Sequence, residues 1–163
     1  MTELIDHGNF YYADCIATDS SRVMGYRIDS DKIELDDSII VDESELTSIF
    51  QNFSVEIGNS TYSGGEAAAH GSCGFFCKRI GGLLDWILVS TESNPFISVE
   101  LHKECVRFRT SSGFIWVVPN DKIESVYIEN DKLAGSDVKR APDYQTTNHP
   151  GHGQDPVTRV EDA

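Results

Sequence analysis

Apolar and polar residues alternate most regularly between Leu83 and Ile128. In Phe96 to Leu101, Ile97, Val99 and Leu101 alternate with Ser98, Glu100 and His102, the period-2 pattern of a half-buried strand. Cys105 to Thr110 keeps the beat, with Val106 and Phe108 on one face and Arg107 and Arg109 on the other. The short charged run His102-Lys103-Glu104 reads as the hairpin loop between them, and Ser111-Ser112-Gly113 as a second turn. Phe114 to Val118 is apolar on both faces, which places it in the sheet centre or under a helix. Upstream, Pro95 separates this unit from a strand over Leu84 to Thr91. Downstream, Ile123 to Ile128 reads as a fifth strand, with a helical turn as the competing assignment. Together these segments predict an antiparallel β-meander.

The rest of the chain supplies shorter elements. Phe10 to Ala17 and Val23 to Ile28 read as strands after a loose start over residues 1–8, and Lys32 to Val41 as a hairpin with Asp36-Asp37-Ser38 at its tip. Asp42-Glu43-Ser44-Glu45 carries the acids and capping side chains of a helix start, and Leu46, Ile49, Phe50 and Phe53 follow at helical spacing. That predicts one amphipathic helix ending near Ser54. Gly58 to Gly82 is rich in glycine and predicts irregular chain, with Phe75, Phe76 and Ile80 plugging into the core. The fold expected is α+β: a predominantly antiparallel β-meander with one or two short helices packed on it. Residues 1–130 form the domain, and residues 131–163, where apolar residues thin out and Pro142, Pro150, Pro156, Gly151 and Gly153 appear, form a disordered tail.

The charge is the most informative global quantity. The 163 residues carry a net −14, and residues 1–130 hold twenty-one of the acids against nine bases, so the acidity belongs to the domain. Such a field repels nucleic acid and anionic membranes and favours encounter with a basic partner. Eight acids (Asp29, Asp31, Glu34, Asp36, Asp37, Asp42, Glu43 and Glu45) fall within seventeen residues, opposed there only by Lys32. They read either as a solvated edge and helix start or as a docking patch for a basic surface, with Tyr11, Tyr12 or Tyr26 as aromatic anchors. No run is long and apolar enough for a membrane helix, and the N-terminus lacks the pattern of a signal peptide, so a cytoplasmic protein is expected. The four cysteines are then expected as free thiols rather than disulfides.

Candidate chemistry is sparse. His70, Cys73 and Cys77, joined by Cys105 or His102, are the residues of the right type for zinc, although their Cys-x3-Cys spacing lacks a second paired knuckle. A thiol enzyme would need Cys15, Cys73, Cys77 or Cys105 beside a histidine, and His70 is the near one for Cys73. Gly64-Gly65 is not followed by the lysine of a phosphate loop, and no hydrolase, metalloprotease or calcium-loop motif occurs. His149-Pro150-Gly151-His152-Gly153 reads as tail, and Trp86 and Trp116 as core. No catalytic residue and no cofactor is assigned.

The phrases DWILVSTESNPFISVEL and SGFIWVVPNDKIESV, within Leu84 to Ile128 of a compact acidic chain, resemble the small immunity proteins that bacteria make against polymorphic or contact-dependent toxins. The resemblance implies a non-enzymatic inhibitor whose partner is a cognate protein toxin, typically a basic nuclease or nucleic-acid deaminase. The acids of residues 29–45 are the first choice for its surface. The rival readings are a small zinc or thiol module centred on His70, Cys73 and Cys77, and an adaptor or structural subunit.

Overall fold

The computed structural model describes residues 1–20, 22–68 and 72–131. Strands make up 59% of it and helices 7%, so the molecule is mostly antiparallel β and the helical share of the expected α+β class is small. The expected tail lies almost wholly outside the described residues. Helix α1 (Thr2–Asp6) stands where a loose start was expected. Twelve strands follow: β1 (Asn9–Tyr11), β2 (Cys15–Thr18), β3 (Val23–Asp29), β4 (Lys32–Leu35), β5 (Leu46–Ile57), β6 (Ser60–Ala67), β7 (Gly74–Ile80), β8 (Leu83–Ser90), β9 (Phe96–Leu101), β10 (Cys105–Thr110), β11 (Phe114–Pro119) and β12 (Tyr127–Asn130). A 3-10 turn, Ile123–Ser125, precedes β12, so the helical and strand readings of that segment each hold for half of it.

The strands form one sheet in the order β1-β5-β6-β7-β8-β2-β3-β4-β12-β11-β10-β9. The expected meander is present from β9 to β12, but β8 does not join it. Instead β8 pairs with β7 and β2, and β2–β4 are inserted before β12. The sheet curls until β9 lies against β5 and β6, where Asn52 Nδ2 donates to the Phe96 carbonyl at 3.1 Å. Between β4 and β12 the seam is narrow: one residue pair, Tyr127 with Lys32, flanked by Ile128 N–H to the Asp31 carbonyl (2.6 Å) and Ile33 N–H to the Val126 carbonyl (3.2 Å).

Alternation along the strands divides the apolar residues between two cores. Inside the curl, Phe76, Trp86, Phe96, Phe108 and Trp116 pack with Ile16, Tyr26, Leu88 and Val118. On the outer face of β5–β8 and β2, Phe75, Cys77, Ile87 and Val89 are covered by β1 and by Leu4 and Ile5 of α1. Both tryptophans are core residues, as expected. Among the described residues no helix covers the outer face of β11. Ile115 and Val117 are buried there beside Arg109, Arg107 and Tyr127; Arg107 pairs with Glu129 at 2.6 Å and Arg109 with Asp131 and Glu100, so the long side chains lie over their apolar neighbours.

Several expectations are corrected. The helix over residues 42–54 is strand β5. Ile49 and Phe53 are four residues apart, which suits one face of a helix, but a bulge between Gln51 and Phe53 puts Ile49 in the outer core and Phe53 against the inner one. Gly58 to Gly82 holds two regular strands, β6 and β7, whose glycines serve close packing. A side chain at Gly64 would strike the Phe53 ring, and one at Gly74 the Asn94 carbonyl and the Phe96 ring. Phe75 and Phe76 are buried as expected, but Ile80 is exposed. The hairpin placed at Asp36 is instead β3–β4, turning at Ser30 and Asp31. The run Phe10 to Ala17 is split between β1 and β2, which have different neighbours. Finally, a register shift at Arg109–Thr110 turns Ile97 out to solvent and brings Phe96 inward.

Candidate functional site

The eight acids singled out from the sequence occupy one hairpin and the connection that follows it, and they divide by what they do. On β3–β4, alternation puts Arg27 opposite Glu34 and Asp29 opposite Lys32, two opposite-charge cross-strand pairs. Asp31 lies at the turn, exposed, with its carbonyl holding β12. Asp36 and Asp42 build turns of the same design. Each carboxylate accepts the N–H of the serine two residues on, Ser38 and Ser44, both at 2.9 Å, together with that serine's hydroxyl. These serine bonds hold both carboxyls below the usual aspartate range, and Arg27 adds to the effect at Asp36. The capping chemistry read at Asp42 is therefore real, but it closes a turn ahead of a strand.

Asp37 pairs with Arg22 at 3.3 Å and Glu43 accepts from the Tyr11 hydroxyl at 3.4 Å. Among the described residues Asp31, Glu34 and Glu45 are exposed and form no ion pair within 4 Å. The anchors differ from expectation: Tyr11 and Tyr26 are buried, the latter donating to the Val89 carbonyl at 2.8 Å, and only Tyr12 is exposed. What the sequence reading missed is Ile40, 91% exposed midway between the two acid–serine turns. Its neighbour Ile39 is laid over Gly25, where any side chain would collide with it. The signal was the pair Ile39-Ile40 between two Asp-x-Ser repeats. The result is a strongly exposed apolar side chain on the connection between the Asp36 and Asp42 turns.

The metal and thiol candidates do not converge. His70 lies outside the described residues. Cys73 and Cys77 are separated by extended chain, roughly 13 Å by the rise of a strand, far beyond two sulfurs on one zinc. Cys73 donates to the Thr91 carbonyl at 3.1 Å, and Cys77 and Cys15 sit in the outer core. Burial pushes the Cys77 thiol up to about 11 and the Cys15 thiol up to about 12, the reverse of what a nucleophile needs. His102 and Cys105 border an open cleft of about 310 Å³ with Tyr62, Glu104 and Asp121. No group of three or more His, Cys, Asp or Glu suited to a metal occurs among the described residues. A thiol titration of the folded protein at pH 8 is expected to show one readily reacting cysteine, Cys105, with Cys15, Cys73 and Cys77 reacting only on unfolding. Rapid labelling of Cys77 would contradict this placement.

One polar cluster, at the open end of the curl, was not anticipated. Lys78 points inward beside Tyr62 and Trp86 and is buried. Its ammonium meets Asp121 from the β11–β12 connection and Asp85 (3.0 Å), the extra residue of a bulge in β8. Burial works against this charge, but the two carboxylates outweigh it and hold the Lys78 pKa above the ordinary lysine value. The ion cluster ties β7, β8 and the β11–β12 connection together. Among the described residues no helix is long and apolar enough to cross a membrane. No family model, no curated protein and no solved structure matches the chain.

Proposed function

We propose that this protein is a non-enzymatic inhibitor that binds a basic protein through the acidic surface of residues 29–45, in the manner of an immunity protein neutralising a cognate bacterial toxin. The observation that carries the reading is Ile40, almost fully exposed, between the Asp36 and Asp42 turns. An apolar centre with a polar rim is how protein interfaces are built, and unpaired carboxylates on that rim steer and select a basic partner. A toxin that binds phosphate-rich substrates, a nuclease or a nucleic-acid deaminase, carries such a surface. The carboxylates would then stand where phosphates bind.

The test separates the acids by their structural work. The protein is captured from its own host at native level, and the partner is identified by intact-complex mass spectrometry. A stoichiometric partner that is toxic alone and neutralised by co-expression is the expected result. Asp31 and Glu45, which have no opposite-charge cross-strand partner, are then reversed to lysine. Association is expected to slow by roughly tenfold or more at low salt and less at high salt, with the fold unchanged. Ile40→Ala is expected to raise the dissociation rate instead. On-rates indifferent to the reversals would remove the acidic surface from the interface. A non-toxic partner would favour the adaptor reading.

A further inference from the structure

We infer that the outer edge of β5 is a self-association surface, on which two copies of this chain join their sheets by antiparallel pairing of Phe53 to Ile57 about a two-fold axis at Val55. Among the described residues β1 covers β5 only over Leu46–Ser48, and from Gln51 to Ile57 no backbone hydrogen bond is made on that side. Among the described residues the nearby β9 meets β5 through the Asn52 side chain and through Phe53, which packs with Val99 and Leu101 against the inner core, and it forms no backbone ladder with β5. Every residue of that stretch except Phe53 is exposed. A bare edge of this length is a template for another strand unless charge, proline or a covering element blocks it. The bulge twists the edge at Asn52, but Phe53 to Ile57 beyond it is regular and carries one charge, Glu56.

The occupant follows from the pattern. Ile57 and Ser60 flank the two-residue loop Gly58-Asn59, so Phe53, Val55 and Ile57 turn their backbone groups to β6 while Ser54 and Glu56 turn theirs outward. Pairing with a second copy in the register that sets Val55 opposite itself puts Ser54 opposite Glu56 as the hydrogen-bonded pair. Phe53 then faces Ile57 on the inner side, and the two Glu56 carboxylates are never opposed. Exposed Ile80 and Leu83 extend that apolar side, since Ile57 pairs with Ser60, Ser60 with Ile80 and Ile80 with Leu83. The acidic β3–β4 hairpin lies five to six strands from β5 in the sheet, and Glu56 is the one charged residue of the pairing segment itself. This inference does not rest on the proposed inhibitor function.

Sedimentation of the full chain tests it. A species of twice 18.1 kDa is expected, tightening roughly tenfold as salt is raised from about 50 to about 500 mM because self-repulsion is screened. Val55→Lys sets two cations face to face and is expected to return the monomer with unchanged circular dichroism. In a Cys105→Ser background, Val55→Cys is expected to cross-link copies under mild oxidation, while Ile57→Cys, opposite Phe53, does not. A monomer at about 100 µM and high salt, well above a micromolar constant, would overturn the proposal. So would a dimer that survives Val55→Lys and gives no Val55→Cys cross-link.

Discussion

Truncating Phe76 to alanine is expected to destabilise the protein by about 3–5 kcal/mol, the range for deleting a fully buried aromatic side chain. Its ring stacks on Phe108 at a centroid distance of 4.2 Å and meets Phe96, Trp86 and Trp116 edge-on at 4.8, 6.0 and 6.2 Å. Those four residues come from β8, β9, β10 and β11, so one side chain ties the β5–β8 wall to the meander folded over it. The neighbours are large, rigid rings on different strands and cannot collapse into the gap, which places the cost toward the upper end. Against a total stability of about 5–15 kcal/mol this is a large fraction. Urea unfolding followed by tryptophan fluorescence measures it, with Ile97→Ala as the exposed reference. Phe76→Leu should lose clearly less. A loss under about 1 kcal/mol for Phe76→Ala would mean that Phe76 does not centre the core.

Lys78→Met is expected to cost about 3 kcal/mol, because removing one partner of a buried ionic cluster leaves Asp85 and Asp121 facing each other without a counter-charge. Both carboxylates keep some solvent, so the lower end of the range applies. Adding Asp121→Asn should restore much of the loss, a coupling that separated sites do not show. The pH dependence has a definite sign. The folded-state pKa of Lys78 is raised, so its contribution is complete below the ordinary lysine value near 10.4 and is lost as pH rises through the folded value. Tyr26 and Tyr62, raised chiefly by burial, also cost stability above about pH 10. The diagnostic quantity is therefore the difference between native protein and Lys78→Met. That gap should be constant from pH 7 to about 10 and close at higher pH. A gap that widens there would reject the ion-pair account.

The sequence carried the meander because β9 to β12 obey strict alternation and are cut by Pro95, Gly113 and the Pro119-Asn120-Asp121 turn. It misdirected at β5, where an Asp-x-Ser turn copied the chemistry of a helix cap and a bulge spaced Ile49 and Phe53 like one helical face. It misdirected again at β6 and β7. Gly64 and Gly74 read as breakers, whereas tertiary packing uses their missing side chains to admit Phe53 and Phe96. The acidic stretch was legible as charge, but the division into turn-building Asp36 and Asp42, cross-strand Asp29 and Glu34, and unpaired Asp31 and Glu45 was not. That division depends on which side chains the backbone brings within reach. The Lys78 cluster was invisible because Asp121 is forty-three residues away in the chain. Its trace in the sequence was Lys78, a charged residue at an inward position of the alternation that also sets Phe76 inward.

The insertion of β2–β4 between β8 and β12 also sets a timetable for biosynthesis. A ribosome delivers these strands early, yet β8 and β12, which flank them, are made later, and β12 is the last strand among the described residues. At about 5–20 residues per second, the β3–β4 hairpin waits on the order of ten seconds for the strand that completes its outer edge. During that interval it is an open edge on an unfinished sheet, the condition in which chains aggregate. The carboxylates clustered from Asp29 to Glu45 make neighbouring nascent hairpins repel one another, so the charge that dresses the finished surface also protects the growing chain.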